Sequence, residues 1–526
     1  MEKHEERYMW LALFVVIIGT FMSILDSSIV NVAIPKMMAI FGAGTDEIEW
    51  VLTGYMLTMG IIIPLTGFLS DRFGSKTMYI FALSVFTVGS ALCGIANSTN
   101  TMVAARVIQA IGGGMIMPVG MSMIYQIVPI EKRGLALGVW GISAMAAPAI
   151  GPTLSGYIVE YLNWRLIFTI NIPVGIIGVT LASIILRDSK KVTGKKFDIW
   201  GAVTIAIGLF TLLLALDKVS SKGWTSGYTI GMFAISLISL LLFVYIELTH
   251  DEPLLDLGVL KIFPYSLSLI INTITTIGLF GAVFLIPLFM ENLRGYSAMQ
   301  TGILMLPQAI VTGFMMPISG KLFDKYGAKW LTIIGLAIMT FCTYLLSKIT
   351  LDTPYNTLML ILAFRGLGMG ICMMPIQTAG MNSVPPQLVA RASALNNTVR
   401  QVAGSLGISV LTTILQHRQV FHTVKYSEMV NTSSPAFAQA QGLAQGLAVK
   451  GGLTIAAAKS AIMMQIYGSL IKQATMTAMN DTFLVASLIC LAGIPLAMLI
   501  RKKAKTNYGK EDQKEIEEEI AIGLFE

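Results

Sequence analysis

Asp26 and Arg106 stand where an apolar sequence has least room for charge. Asp26 lies inside the run from Met9 to Pro35, in the string LDSSIVNVAIP at Leu25–Pro35. Arg106 lies inside a later run and opens the string RVIQAIGGG at 106–114. A charged side chain at the centre of a bilayer costs about 2.5–3.5 kcal/mol on insertion scales, so each needs a partner or a water-filled cavity. Each is the obvious partner for the other. Burial favours a neutral acid, whereas an adjacent guanidinium favours the carboxylate. A site balanced between these terms can gain and lose a proton as its access changes. The competing reading is a permanent ion pair that fastens one span to another.

A second constellation is mechanical. GFLSDRFGSK at 67–76 recurs as GKLFDKYGAK at 320–329. Gly67 and Gly320 allow close helix approach, and Gly74 and Gly327 allow a tight turn. Asp71 and Asp324 sit where a helix ends. Arg72, Lys76, Lys325 and Lys329 hold the loop in the interface. A carboxylate there can pair with a basic residue or a helix N-terminus on a moving neighbour. Such a contact latches one conformation and releases in another. The two matching copies favour a latch over a plain charged turn.

The elements that must position these residues are membrane helices. The chain has 526 residues, 55% hydrophobic and 12% charged, against about a quarter charged in soluble domains. Its apolar runs are about 18–25 residues long, which selects helices over a barrel. Fourteen spans are expected. Six lie near 9–34, 48–70, 77–96, 102–126, 135–158 and 164–186. Two follow, near 199–217 and 228–247, and six more near 264–290, 301–323, 330–348, 357–380, 394–415 and 480–500. This predicts a six-helix bundle over 1–186, an inserted pair over 187–263, a second bundle over 264–500 and a tail at 501–526.

Lys and Arg concentrate on one side, in loops such as those holding Arg72, Lys76, Lys132, Arg133 and Arg187. That bias predicts both termini in the cytoplasm. Residues 416–479 read as a long outside loop, far beyond ordinary loop length. Within it, 453–474 places Ile455, Ile462, Ile466 and Leu470 on one helical face. That segment is expected to cap the outer mouth or to dock an extracellular adaptor protein.

Other chemistries find no support. The four cysteines and four histidines have no metal spacing. Arg365 precedes GLGMG, but no strand pattern surrounds it, so a dinucleotide loop is rejected. Neither a Walker string nor a catalytic triad pattern is present, so no enzyme and no cofactor is expected. The net charge of +7 is spread over short loops rather than gathered for nucleic acid. Protons, membrane lipid and small molecules are the expected partners. Tyr55, Trp140, Phe280, Phe284 and Gln377 are candidate pocket residues within spans. The 32 methionines suit a pocket for varied apolar ligands, although most are expected to be packing residues.

These strings resemble the major facilitator superfamily. The 67–76 loop is similar to its signature between spans 2 and 3. LDSSIVNVAIP and RVIQAIGGG resemble the first- and fourth-span motifs of drug:proton antiporters. GPTLSG at 151–156 resembles the fifth-span antiporter motif through Gly151, Pro152 and Gly156, with Ser155 replacing a frequent glycine. WRLIFTINIPVG at 164–175 and ARASALNNTVRQVAGSLG at 390–407 are similar to the fourteen-span EmrB/QacA branch. The resemblance implies proton-driven export of hydrophobic, often cationic, toxic compounds across a bacterial cell membrane, with Asp26 as proton carrier and Arg106 as coupling partner. A dedicated exporter of one lipid-like or antibiotic metabolite, and a subunit of an adaptor-linked export complex, are the competing expectations.

Overall fold

In lipid the backbone must satisfy its own hydrogen bonds, and the chain does so with helices throughout. The computed structural model describes residues 2–188, 197–250, 252–429 and 454–500, with no strand among them. Fourteen helices in the described residues are long and apolar enough to cross a membrane. The first six are α1 (Glu2–Phe41), α2 (Trp50–Phe73), α3 (Ser75–Ile95), α4 (Thr99–Ile127), α5 (Arg133–Tyr161) and α6 (Asn171–Ile185). The inserted pair is α7 (Ile199–Lys222) and α8 (Gly227–Thr249). The second six are α9 (Phe263–Leu288), α10 (Ala298–Tyr326), α11 (Ala328–Leu346), α12 (Tyr355–Met381), α13 (Val389–Met429) and α14 (Ile455–Met498).

The repeated string forms the same turn twice. α2 and α3 are separated only by Gly74 (φ 89°), and α10 and α11 only by Gly327 (φ 78°). An L side chain is strained at such φ values, which is why glycine occupies both. The two halves meet along α5 against α10, and along α13 against α2 and α4. α7 packs on α2 and α13, while α8 leans chiefly on α7 and exposes much of its surface.

Packing differs between the two faces. Toward the face where the chain begins, one apolar cluster runs through both halves, joining Met9, Phe68, Tyr125 and Trp140 to Met316, Met374 and Leu395. Toward the opposite face each half keeps its own cluster: Leu25, Trp164 and Phe168 in the first, Ala282, Phe289 and Phe483 in the second. There, Ile150, Thr153, Leu154 and Tyr157 of α5 face Met299 and Leu306 of α10 across a crevice of about 380 Å³. The halves are therefore sealed together on the N-terminal face and parted on the other.

The expected long loop at 416–479 is largely helix. α13 continues to Met429 and α14 begins at Ile455, so the segment expected as a separate helix at 453–474 forms the first part of α14. Residues 430–453 and the tail at 501–526 lie outside the described residues. Polar side chains on the two extensions satisfy each other. Asp481 Oδ2 accepts from Arg418 Nε at 2.6 Å and meets His422 Nε2 at 2.7 Å. Gln419 donates to Thr475 Oγ1 at 2.8 Å, and Tyr426 meets Thr477 at 2.9 Å. Hydropathy drops at residue 416 because the helix leaves lipid, not because it ends. A helix of 41 residues spans about 60 Å, twice the hydrocarbon thickness of about 30 Å.

We predict that cysteines placed at Gln419 and Thr475 cross-link under mild oxidation. A protease site introduced within 430–453 provides the assay, since a cross-linked chain stays intact on a non-reducing gel after cleavage. Separation of the fragments would show that 416–479 has no fixed helical pairing.

Candidate functional site

The fourth helix owes its position to its glycines. A Cβ at Gly112 would overlap the α3 backbone at Ala82 and Phe86, and one at Gly89 of α3 would overlap the backbone of Gln109. This close approach brings Arg106 and Gln109 to face α1, α2, α3 and α6. Three residues apart, they share one face of α4.

Asp26 completes the site from α1. Its Oδ2 accepts from Arg106 Nη1 at 2.6 Å, and its Oδ1 accepts from Gln109 Nε2 at 2.9 Å and Asn171 Nδ2 at 2.8 Å. Arg106 also donates to Gln109 Oε1 at 2.6 Å and to the Val51 carbonyl at 3.3 Å. Its guanidinium lies 3.8 Å from the centroid of the Tyr55 ring. Ser90 of α3 accepts from Gln109 at 2.6 Å and from Asn171 at 3.3 Å. Asp26 and Arg106 are each only 1% exposed, so water does not compete for them. The carboxylate is fully committed to donors. Its charge is what holds Arg106 against α1.

Sequence reasoning named Asp26 and Arg106 from their charge. Asn171 and Ser90 join the site without that charge signal. The available signal was the same in kind: a polar side chain inside an apolar run.

Both copies of the repeated string reach across to the other half. Asp71 at the end of α2 accepts from Arg391 Nε at 3.1 Å, near the start of α13. Asp324 at the end of α10 lies against the start of α5, where a Cβ on Gly134 would overlap its carboxylate and where the Gly134 and Leu135 N–H groups favour its negative charge. The glycines permit this docking, since a Cβ at Gly67 would crowd the Arg391 backbone and one at Gly320 would overlap that of Gly134. The first copy therefore meets a basic residue and the second a helix N-terminus. Asp256, between the inserted pair and α9, brings its Oδ2 within 3.8 Å of Arg391. Neither Arg391 nor Asp256 stands out in the sequence, since both lie near the ends of helices where charge is ordinary. Arg72 remains exposed, its guanidinium 5.6 Å from the Phe73 ring centroid.

The fifth-span motif binds α5 to α1. A Cβ at Gly151 would overlap Ser28, and Ser155 Oγ donates to the Ile29 carbonyl at 2.7 Å. Gly156 faces open space, and the Pro152 side chain lies outside the described residues.

The five candidate pocket residues do not converge. Tyr55 belongs to the Arg106 site. Trp140 is buried and donates to Thr20 Oγ1 at 3.0 Å. Phe280 packs where Gly404 leaves room, and Phe284 lies against the far cluster of the second half. Gln377 alone bridges the halves, its Nε2 lying 3.0 Å from Met121 Sδ. Shared aromatic or polar character inside spans did not encode a shared location. Among the described residues no group of three His, Cys, Asp or Glu side chains is placed to hold a metal.

Comparison with known proteins agrees with this architecture. The family model described as Major Facilitator Superfamily matches residues 16–408. The MFS-type transporter YhcA of Bacillus subtilis (strain 168) is 39% identical over 98% of this chain and 97% of its own length. The multidrug export protein EmrB of Escherichia coli (strain K12) is 30% identical over 81% of this chain and 85% of its own. The crystal structure of the human organic anion transporter MFSD10 superposes with a TM-score of 0.59 at 12% identity, covering 92% of this chain and 99% of that one. That likeness concerns the fold alone. With fourteen spanning helices in two six-helix bundles and an inserted pair, the chain belongs to the major facilitator superfamily and is a multi-pass membrane transporter of that family.

Proposed function

We propose that this protein is a proton-coupled efflux transporter that exports hydrophobic drug-like compounds by alternating access. The observation that carries this reading is the sealed Asp26–Arg106 pair, one carboxylate held by three donors away from water. In the proposed cycle Asp26 is ionised and locked in the conformation described. Opening of the cleft admits a proton to Asp26. Arg106 then loses its anionic partner and must rely on neutral acceptors such as Gln109 Oε1 and the Val51 carbonyl. This weakens the tie between α1 and α4 and lets the halves rock.

The latches belong to the same cycle. Asp71 with Arg391, and Asp324 with the start of α5, hold the N-terminal face shut. We place that face in the cytoplasm of a bacterial cell, on the strength of its Lys and Arg excess. The conformation is then closed inward and parted outward. The proton gradient alone supplies the energy, with no cofactor. Similarity to a relative named as a multidrug export protein supports the efflux direction. A spectrum limited to one compound would instead indicate a dedicated metabolite exporter. The projecting ends of α13 and α14 favour one further element of this reading, the docking of an adaptor on the outer side.

Two predictions follow from the pair and the latches. Asp26→Asn should abolish transport driven by an imposed pH gradient in proteoliposomes while the protein still inserts and folds, at reduced stability because Arg106 loses its anionic partner. Arg106→Ala should be similarly crippled, and the double variant should show strong non-additivity. Undiminished gradient-driven transport by Asp26→Asn would overturn the proton-carrier role. Asp71→Ala and Asp324→Ala should each favour opening of the N-terminal face, by about 1–3 kcal/mol if they bias a two-state equilibrium. Spin-label distances across that face should lengthen, and unchanged distances in both variants would leave only a charged turn.

A further inference from the structure

Two more arginines lie deep in the spans, and they are satisfied very differently. Arg365 of α12 is fully buried and bonds only to neutral oxygens. It donates to Gly278 O at 2.6 Å, Thr343 Oγ1 at 3.3 Å and Gln308 Oε1 at 3.4 Å. All three acceptors belong to its own half. Arg400 of α13 is half-buried, and among the described residues its one hydrogen-bond partner is the thioether of Met117, with Nη2 2.9 Å from Sδ. A thioether is among the weakest acceptors available to a guanidinium. None of the ion pairs formed by the described carboxylates includes Arg400.

Arg400 does not stand alone. It lies eleven residues beyond Val389, the first residue of α13, or about 16 Å along the helix axis. That places it near mid-membrane, where α13 packs on α4 of the other half. Asn396 and Asn397 sit four and three residues before it, on the same face. Asn396 Oδ1 accepts from Asn272 of α9 at 3.3 Å, which leaves its buried Nδ2 without a hydrogen-bond partner among the described residues. Asn397 Nδ2 donates to the Ser393 carbonyl at 2.9 Å and lies 3.8 Å from Met121 Sδ, which Gln377 Nε2 approaches at 3.0 Å. Between the halves the Arg400 guanidinium and the Gln377 amide N–H thus face two methionine sulfurs, and no described carboxylate pairs with Arg400. Methionine side chains re-pack readily and can swing aside.

We propose that Arg400, flanked by Asn396, Asn397 and Gln377, binds an acidic group on the exported compound, so that the preferred substrates are amphipathic organic anions. This rests on the efflux reading and narrows its substrate class. It runs opposite to the cationic preference that the family resemblance implies. An ionised carboxylate gives the guanidinium a charge-assisted partner in place of a thioether. A cation in the same place would meet an uncompensated positive charge, and Asp26 is already committed to Arg106. With the N-terminal face in the cytoplasm, the usual inside-negative membrane potential would also favour anion exit.

Equilibrium binding to the full-length protein in nanodiscs tests this without any pH gradient, using naphthoate and naphthylmethylammonium as a pair matched in their ring. Wild type should bind naphthoate the more tightly. Arg400→Gln should weaken naphthoate by at least about tenfold and leave the cation unchanged or improved. Arg400→Lys should recover part of the loss, which separates a charge requirement from misfolding. Binding is read at equilibrium with no gradient, so failure of proton coupling in transport assays and failure of this site are distinguishable. Displacement of naphthoate by short-chain phosphatidylglycerol would support the same site with a lipid phosphate as its natural ligand. No displacement would support a soluble organic acid. Weak or absent naphthoate binding by wild type, preference for the cation, or equal naphthoate affinity in Arg400→Gln would overturn the proposal.

Discussion

Asp26 and Arg106 meet at 2.6 Å in a place closed to water, and the packing of the first half is organised around that contact. A buried ion pair is seldom a net source of stability, because desolvating both charges offsets most of their attraction. Removing one partner is another matter, since it strands the remaining charge. That asymmetry makes the pair a poor structural rivet and a sensitive switch. Gln109, Asn171 and Ser90 complete the hydrogen bonding that such a pair needs. The glycines of α3 and α4 allow the helices to come close enough to supply it.

The two halves repeat each other in mechanics but not in charge. Each ends its second helix in an aspartate that reaches the start of the other half's fifth helix. Each carries an arginine in its fourth helix. In the first half that arginine faces Asp26, whereas in the second Arg365 faces a carbonyl, a hydroxyl and an amide. Under the proposed cycle the proton is handled by Asp26, in the first half. The second half contributes a different resource, the donor-rich face of α13 with Arg400. A division of labour between proton handling and ligand handling is the simplest physical account of this asymmetry.

Much of this was legible in the residues, for identifiable reasons. Fourteen helices could be located because lipid demands long apolar runs. Asp26 and Arg106 stood out because charge is costly within them. The turns at Gly74 and Gly327 were readable because the string occurs twice. Asn171 escaped because an uncharged amide barely disturbs hydropathy. Arg391 escaped as the partner of Asp71 because they are 320 residues apart in sequence, and one chain carries no record of which half faces which. Residues 416–479 were read as a loop because hydropathy reports contact with lipid and not helicity. The polar pairs around Asp481 hold those helices together beyond the apolar spans.

The central claim is that Asp26 itself carries the exchanged proton. Infrared difference spectroscopy on the purified protein tests it most directly, because a protonated carboxyl buried away from water has its own carbonyl stretch. Acidification of wild type should produce such a band, addition of a transported compound should diminish it, and Asp26→Asn should lack it. A band that persists unchanged in Asp26→Asn, with the same response to the transported compound, would place the proton elsewhere and contradict the account.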